Sequence, residues 1–386
     1  MTSTTRRIFF SALSSFLLAC TTEGSDSGAG DTAAAGTDTH GYDTSGDTAG
    51  TGLTELADPC NGGGTPYGLS YLSDTEGLLG CGNGFGLHHT TDGGATYTRL
   101  DGGDLYVFQI APAPGGDLLV CGRDYDAAAD DTILYRYDGQ LRALLHYGNN
   151  DSRDDAVYFS NCGVVAAAGD NTLLAASNTI GDITWSEDNG ATWVKEDRYW
   201  EDANLEPDGY AVYTMLDLVA AGGAYYGAGS TITEPPTFLG PTQDVDGTWH
   251  NFHATVIDPT IEGEVWALAT ADEGTTWIAG GRDQQRSSEA SGFLYRSDDG
   301  GLTWSYLPLP PQIDIVHDVS FAPDGQHGVA VGHRYPTSLG GFILLTDDAG
   351  ATWAEVTEQT PLLQSAFARN DRYWVAGDSF QAMGGY

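Results

Sequence analysis

Lysine occurs once in the 386 residues, at Lys195, and the basic total of 15 stands against 54 acidic residues. A net charge of −39 repels phosphate backbones, which argues against nucleic acid as a partner. No apolar run reaches the roughly 18 to 20 residues that a membrane-spanning helix needs. No long stretch carries the 3.6-residue period of an amphipathic helix. A Gly-rich phosphate loop between strand and helix is missing, and so is Gly-X-Ser-X-Gly, so neither nucleotide binding nor that hydrolase chemistry is indicated. The nine histidines offer only the adjacent pair His88-His89, whose side chains point to opposite faces of a strand. No metal and no cofactor is therefore expected.

Glycine and aromatic residues are plentiful instead: 53 Gly, 20 Tyr, 13 Phe and 9 Trp. That mixture suits many short strands joined by tight turns and packed on rings. An all-β domain is the expected class.

The first 19 residues read as an export signal, with Arg6 and Arg7 ahead of an apolar run from Ile8 to Ala19. Leu17-Leu18-Ala19-Cys20 resembles a bacterial lipobox, which implies lipid attachment at Cys20 and anchoring to the cell envelope. Thr5-Arg6-Arg7-Ile8-Phe9-Phe10 also resembles a twin-arginine motif, so either export route stays open. Residues 20–58 are Gly, Ser, Thr, Ala and Asp with almost nothing apolar, and read as a flexible tether. The folded domain is expected over residues 59–386, as a monomer.

Four segments of that domain match one another: Thr90 to Tyr97, Ser186 to Trp193, Ser297 to Trp304 and Thr346 to Trp353. Their shared pattern is Ser/Thr, any, Asp, any, Gly, any, Thr, aromatic. The Asp carboxylate accepts N–H groups across a turn, the Gly takes positive φ, and the ring packs between sheets. The structural positions are thus Asp92, Gly94 and Tyr97; Asp188, Gly190 and Trp193; Asp299, Gly301 and Trp304; and Asp348, Gly350 and Trp353. Successive Asp residues are 96, 111 and 49 apart, so each long gap should hold a degenerate copy. Tyr135 to Gly139 and Thr242 to Trp249 are the candidates. Apolar strands mostly closed by glycine, such as Trp277 to Gly281 and Trp374 to Gly377, recur ahead of the boxes or after the last of them.

These segments resemble the Asp-box, or bacterial neuraminidase, repeat of sialidases, sortilin-type receptors, xyloglucanases and the photosystem II assembly factor family. The resemblance implies a β-propeller of four-stranded blades, seven or alternatively six. The last blade would be completed by the N-terminal segment near Leu53 to Leu56. It also implies that the boxes lie on the face away from the ligand. The early Arg-Ile-Pro motif of sialidases is absent, and there is room for one propeller only.

Ligand binding is therefore expected at the loops between second and third strands, which are long at Arg123 to Asp131, Ser230 to Pro241, Arg282 to Ser291 and His333 to Gly340. Arg123, Arg282 and Arg334 follow the closing glycines within one position of equivalence. They form either an anion clamp or ion pairs with neighbouring carboxylates. Cys60, Cys81, Cys121 and Cys162 allow three pairings; equivalent strand positions in adjacent blades are expected for Cys81 and Cys121, which would set them side by side for a bridge, and free thiols are the alternative. The function expected is non-catalytic binding of a protein, peptide or glycan; the alternative is a glycan-active hydrolase or lyase using the same face.

Overall fold

The computed structural model describes residues 52–60, 64–100, 105–113, 115–124, 132–146, 162–169, 171–176, 183–196, 214–230, 235–241, 252–286 and 289–386. The export signal, Cys20 and the tether up to residue 51 lie outside the described residues. Among the described residues no helix is long and apolar enough to cross a membrane.

The strands form seven four-stranded antiparallel sheets. Blades 1 to 6 take their strands consecutively, and their innermost strands are Pro66–Tyr71, Leu105–Ala113, Val164–Ala167, Thr214–Ala221, Gly263–Thr270 and Ile313–Phe321. Blade 7 combines Leu363–Arg369, Arg372–Gly377 and Phe380–Gly385 with the N-terminal strand Thr54–Glu55. Thr54 pairs with Met383 and Glu55 with Ala382, so the two ends of the domain close the ring together. The propeller therefore starts ahead of residue 59, and the last part of the segment read as tether belongs to it.

Each blade buries both faces, which explains why its strands are continuously apolar rather than alternating. Leu78 and Leu87 of blade 1 pack with Val107 and Leu118 of blade 2. Phe238 of blade 4 meets Trp277 of blade 5. At the closing seam, Trp374 of blade 7 stacks on Tyr71 of blade 1 at 4.3 Å and shares a core with Leu79 and Cys60. Seven such clusters join each blade to the next, so the core is a circuit without an end.

The Asp-boxes at Asp92, Asp188, Asp299 and Asp348 cap the turns between third and fourth strands in blades 1, 3, 5 and 6. In blade 5 the Thr303 N–H and hydroxyl donate to the two carboxylate oxygens of Asp299 at 2.8 and 2.7 Å, and Ser297 Oγ donates to Oδ1 at 2.8 Å. The Gly301 N–H donates back to Ser297 Oγ at 2.9 Å. The other three boxes repeat these bonds, with Thr96, Thr192 and Thr352 hydroxyls 2.6, 2.6 and 2.7 Å from their carboxylates. The Thr bonds hold the Asp92 and Asp299 carboxyls down to about 2. Gly301 has φ of +87°, and a Cβ there would lie 2.1 Å from the Phe238 ring of the preceding blade. The box is both a turn and a spacer between blades.

Asp138-Gly139 forms the corresponding turn of blade 2, with Gly139 at φ +94° and Asp138 paired to Arg142 at 2.7 Å. The second degenerate candidate, Thr242 to Trp249, lies outside the described residues. A fifth complete box stands where the spacing did not direct attention. Thr270-Ala271-Asp272-Glu273-Gly274-Thr275-Thr276-Trp277 joins the first and second strands of blade 5. Asp272 accepts the Thr276 N–H at 2.7 Å, and Trp277 Nε1 donates to the Gly274 carbonyl at 2.8 Å. First and third strands run in the same direction, so this box shares the face of the other boxes.

The disulfides are Cys60–Cys81 and Cys121–Cys162. Cys81 does not pair with Cys121, because the two are one residue out of register. Cys81 lies opposite Pro66, ahead of an irregularity in the inner strand, whereas Cys121 lies opposite Gln109, just after one. In a strand that offset turns the side chains to opposite faces.

Candidate functional site

On the face opposite the boxes lie the starts of the innermost strands and the ends of the second strands. Six of the seven innermost strands carry a β-bulge there. The inserted residues are Tyr67, Phe108, Leu216, Trp266, His317 and Gln364, one per blade in blades 1, 2, 4, 5, 6 and 7. A bulge re-aims its side chain, and this set shares one structural position around the channel mouth.

The closing glycines make room for that geometry. A Cβ on Gly281 would sit 1.9 Å from the Glu264 carbonyl oxygen, one on Gly332 1.9 Å from that of Ile315, and one on Gly377 1.9 Å from that of Leu362. In each case the carbonyl belongs to the residue two before the bulge. The glycines that ended the apolar strands in the sequence are thus the visible trace of the bulges.

The collar divides into two arcs. On blades 1 and 2, Tyr67 stacks on Tyr106 at 5.6 Å, and Tyr106 lies 4.7 Å from Phe108; Tyr67 is 39% exposed. On blades 5 to 7, Trp266 meets His317 edge-on at 5.5 Å, and His317 meets His333 at 4.3 Å. The Gln364 amide lies 3.0 Å from His333 Nε2, and His333 Nδ1 lies 3.4 Å from His317 Nε2. This chain of contacts fits neutral imidazoles, with Gln364 donating to His333 and His333 donating to His317. Burial, with Arg282 adding to it, lowers His333 to about 4; burial, His333 and Arg282 hold His317 well below the usual histidine range.

In blades 2, 4 and 6 the residue after the bulge has a different duty. Gln109 Oε1 accepts the Val165 N–H of blade 3 at 2.7 Å, Asp217 accepts the Leu268 N–H of blade 5 at 2.8 Å, and Asp318 accepts the Ala366 N–H of blade 7 at 2.8 Å. Gln109 Nε2 also donates to Asp217 at 3.0 Å, linking blades 2 and 4. These side chains satisfy the unpaired inner edge of the next blade. Burial pushes the Asp217 carboxyl up to about 6 and that of Asp318 up to about 8.

The three arginines do not share one position. Arg123 and Arg282 directly follow the closing residues Gly122 and Gly281; in blade 6 the corresponding residue is His333, with Arg334 one further on. Arg334 is 6% exposed, donates through Nε to the Gly341 carbonyl at 2.9 Å and pairs with Glu355. It serves its own blade, which takes it out of a three-arginine clamp. Arg282 lies 3.5 Å from Asp314 and 3.4 Å from Ser291 Oγ. Arg123 is half-buried opposite Tyr106, and residues 125–130 beyond it lie outside the described residues. Burial raises the Asp314 and Glu264 carboxyls near Arg282, and the arginine opposes that rise in both. The Gln284 amide donates to Glu264 at 2.6 Å. Among the described residues no three His, Cys, Asp or Glu side chains are grouped to hold a metal ion.

The model of the BNR/Asp-box repeat matches residues 295–306. No curated protein matches the chain by sequence. Among solved structures, YCF48 from Cyanidioschyzon merolae is similar in fold, with TM-score 0.57 and 15% identity over 87% of this chain and 98% of that one. A structure described as YCF48 bound to D1 peptide aligns with TM-score 0.55 and 16% identity over 86% and 95%. The extracellular domain of BT4673, a two-component system from B. thetaiotaomicron, aligns with TM-score 0.56 and 10% identity over 87% of this chain and 40% of that longer one.

Proposed function

We propose that this propeller is a non-catalytic binding protein, and that the mouth of its channel opposite the Asp-boxes receives a segment of a protein partner. The observation that carries the reading is the collar of bulge residues, where Tyr67, Phe108, Leu216 and Trp266 bring apolar side chains to the end of the ring that the boxes leave open. A partly exposed apolar rim, with Tyr67 39% exposed and Phe108, Leu216 and Trp266 half-buried, is what a binding surface supplies and a solvated turn does not. A propeller of the same fold, YCF48, is described with a peptide bound, which supports the reading by analogy.

The setting is an exported protein held to the cell envelope through lipid on Cys20. Two disulfides in the domain fit an oxidising compartment. Glu264 and Asp314 beside Arg282 are the carboxylates a hydrolase or lyase would draw on, and here they offset that cation.

Because Lys195 is the sole lysine, amine-directed cross-linking is blind to this surface. A photoreactive phenylalanine analogue placed at Tyr67, with Thr96 on the box face as control, tests the reading in envelope extract. Adducts to a polypeptide from position 67 and none from position 96 are expected. Adducts from position 96 alone, or turnover of a polysaccharide abolished by Glu264→Gln, would overturn it.

A further inference from the structure

The ring is shut by a very short strand. Thr54–Glu55 supplies two residue pairs to blade 7, against six between Arg372–Gly377 and Phe380–Gly385 in the same blade. Both of its residues are exposed. Under the anchoring through the N-terminus proposed above, on which this inference rests, any pull on the domain enters at that strand. Two pairs are little to resist it.

The segment that follows is fastened three times over. Of the five complete boxes among the described residues, four end in Trp, and in each the indole N–H donates to the carbonyl of the box glycine. Trp193, Trp304 and Trp353 reach Gly190, Gly301 and Gly350 at 3.1 Å, and Trp277 reaches Gly274 at 2.8 Å. The box of blade 1 ends in Tyr97, which has no such N–H. Its Gly94 carbonyl accepts the Ala57 N–H of the closing segment instead, at 3.1 Å. The Tyr97 hydroxyl turns to the same seam, where it accepts from the Gln381 amide at 2.6 Å, and the main-chain carbonyl of Gln381 accepts the Leu56 N–H at 2.9 Å. Three residues further on, Cys60 is bonded to Cys81 of blade 1, and both are buried in the core they share with Trp374 of blade 7.

A pull from ahead of residue 52 therefore meets the two strand pairs first, then the Leu56 and Ala57 bonds, then a covalent link. Beyond Cys60 the next strand is Pro66–Tyr71, the innermost of blade 1, and its loss would breach the channel wall. The disulfide hands the pull to Gly77–Cys81 before it reaches that strand.

We propose that Tyr97, Gly94 and the Cys60–Cys81 bond form a mechanical latch, which keeps the ring closed while the domain is pulled by its N-terminus.

Single-molecule stretching of the full chain tests this, with one handle at position 48 and the other in the turn at Gly139 of blade 2, where the space around the glycine is open. The wild-type chain should release about 20 Å, the length from Thr54 to Cys60, and then hold. Cys60→Ser/Cys81→Ser should release about 60 Å, through Tyr71, at no more than half the force. Tyr97→Trp, which keeps the disulfide, guards against a double variant that does not fold. Its indole should take the Gly94 carbonyl, so the Ala57 amide should exchange at least tenfold faster while the Gly94 and Thr96 amides of the box stay protected. Equal extensions and forces with and without the disulfide, or Ala57 exchange that Tyr97→Trp leaves unchanged, would overturn the latch and leave the anchor standing. Labelled palmitate taken up by the wild-type chain and not by Cys20→Ser reads the anchor separately. A chain that takes up none would remove the anchor and, with it, the pull that the latch resists.

Discussion

The two ends of this ring are built from the same seven sheets and obey different rules. At the box end, four turns in four blades repeat one set of bonds to within about 0.2 Å, and both carboxylate oxygens of Asp92, Asp188, Asp299 and Asp348 are engaged inside their own turn. At the mouth, six bulges repeat one backbone position and fill it with six different residue types, from Trp266 to Gln364. Uniform side chains on a uniform backbone signal stability. Varied side chains on a uniform backbone leave room for recognition, and the contrast predicts which substitutions harm folding and which harm binding.

The largest loss of stability is expected in the shared core between the ends. Trp277 is fully buried, so Trp277→Ala should cost about 3–5 kcal/mol in denaturant titration, whereas Trp266→Ala eleven residues earlier should cost far less. Equal losses would erase the distinction between core and collar.

Next, replacing both Cys121 and Cys162 by Ser opens a link of 41 residues in sequence and should cost about 2–4 kcal/mol. Ser297→Ala removes the acceptor for the buried Gly301 N–H and the donor to Asp299, and should cost about 1–3 kcal/mol. A neutral Ser297→Ala would mean that the box bonds are decoration. Tyr67→Ser and Phe108→Ser should move the unfolding midpoint least while abolishing partner binding.

A pH titration sharpens the comparison further. The folded Asp318 carboxyl, at about 8, keeps its proton to higher pH than an unfolded one near 3.8. Its contribution to stability is therefore complete below about 4 and lost as pH rises towards 8. His317 and His333 act in the opposite sense. Lowered in the fold, they favour the native state above 6.5 and lose that contribution as pH falls, for His333 towards 4. Between pH 7 and 8.5 Asp318 is the member of this trio that changes charge, so Asp318→Asn should flatten the fall in denaturant midpoint across that window. An unchanged slope would remove the carboxylate from the ring's inner seam.

Much of the box end was legible in the residue string, because each turn needs its Asp, Gly, Thr and ring within eight consecutive positions. Seven blades, with six as the alternative, and the closing role of the N-terminal strand were read from spacing and from strands such as Trp374 to Gly377. The box at Thr270 to Trp277 has the full pattern, yet the expected interval of about 50 residues pointed to turns between third and fourth strands, and this one joins a first strand to a second. The mouth was harder to read because a bulge is a relation between two strands. Arg334 looked equivalent to Arg123 and Arg282 by counting from a glycine, and one residue of register gave that place to His333. Cys81 and Cys121 misled for the same reason. The closing glycines held the missing signal, since they mark where an inner carbonyl crowds the second strand.

Hydrogen exchange on the full chain, alone and with its bound polypeptide, tests the division of labour most directly. Added protection should gather at the strand starts carrying Tyr67, Phe108, Trp266 and His317. Protection confined to the turns at 90–97, 186–193, 297–304 and 346–353 would place the partner on the box face and contradict the account.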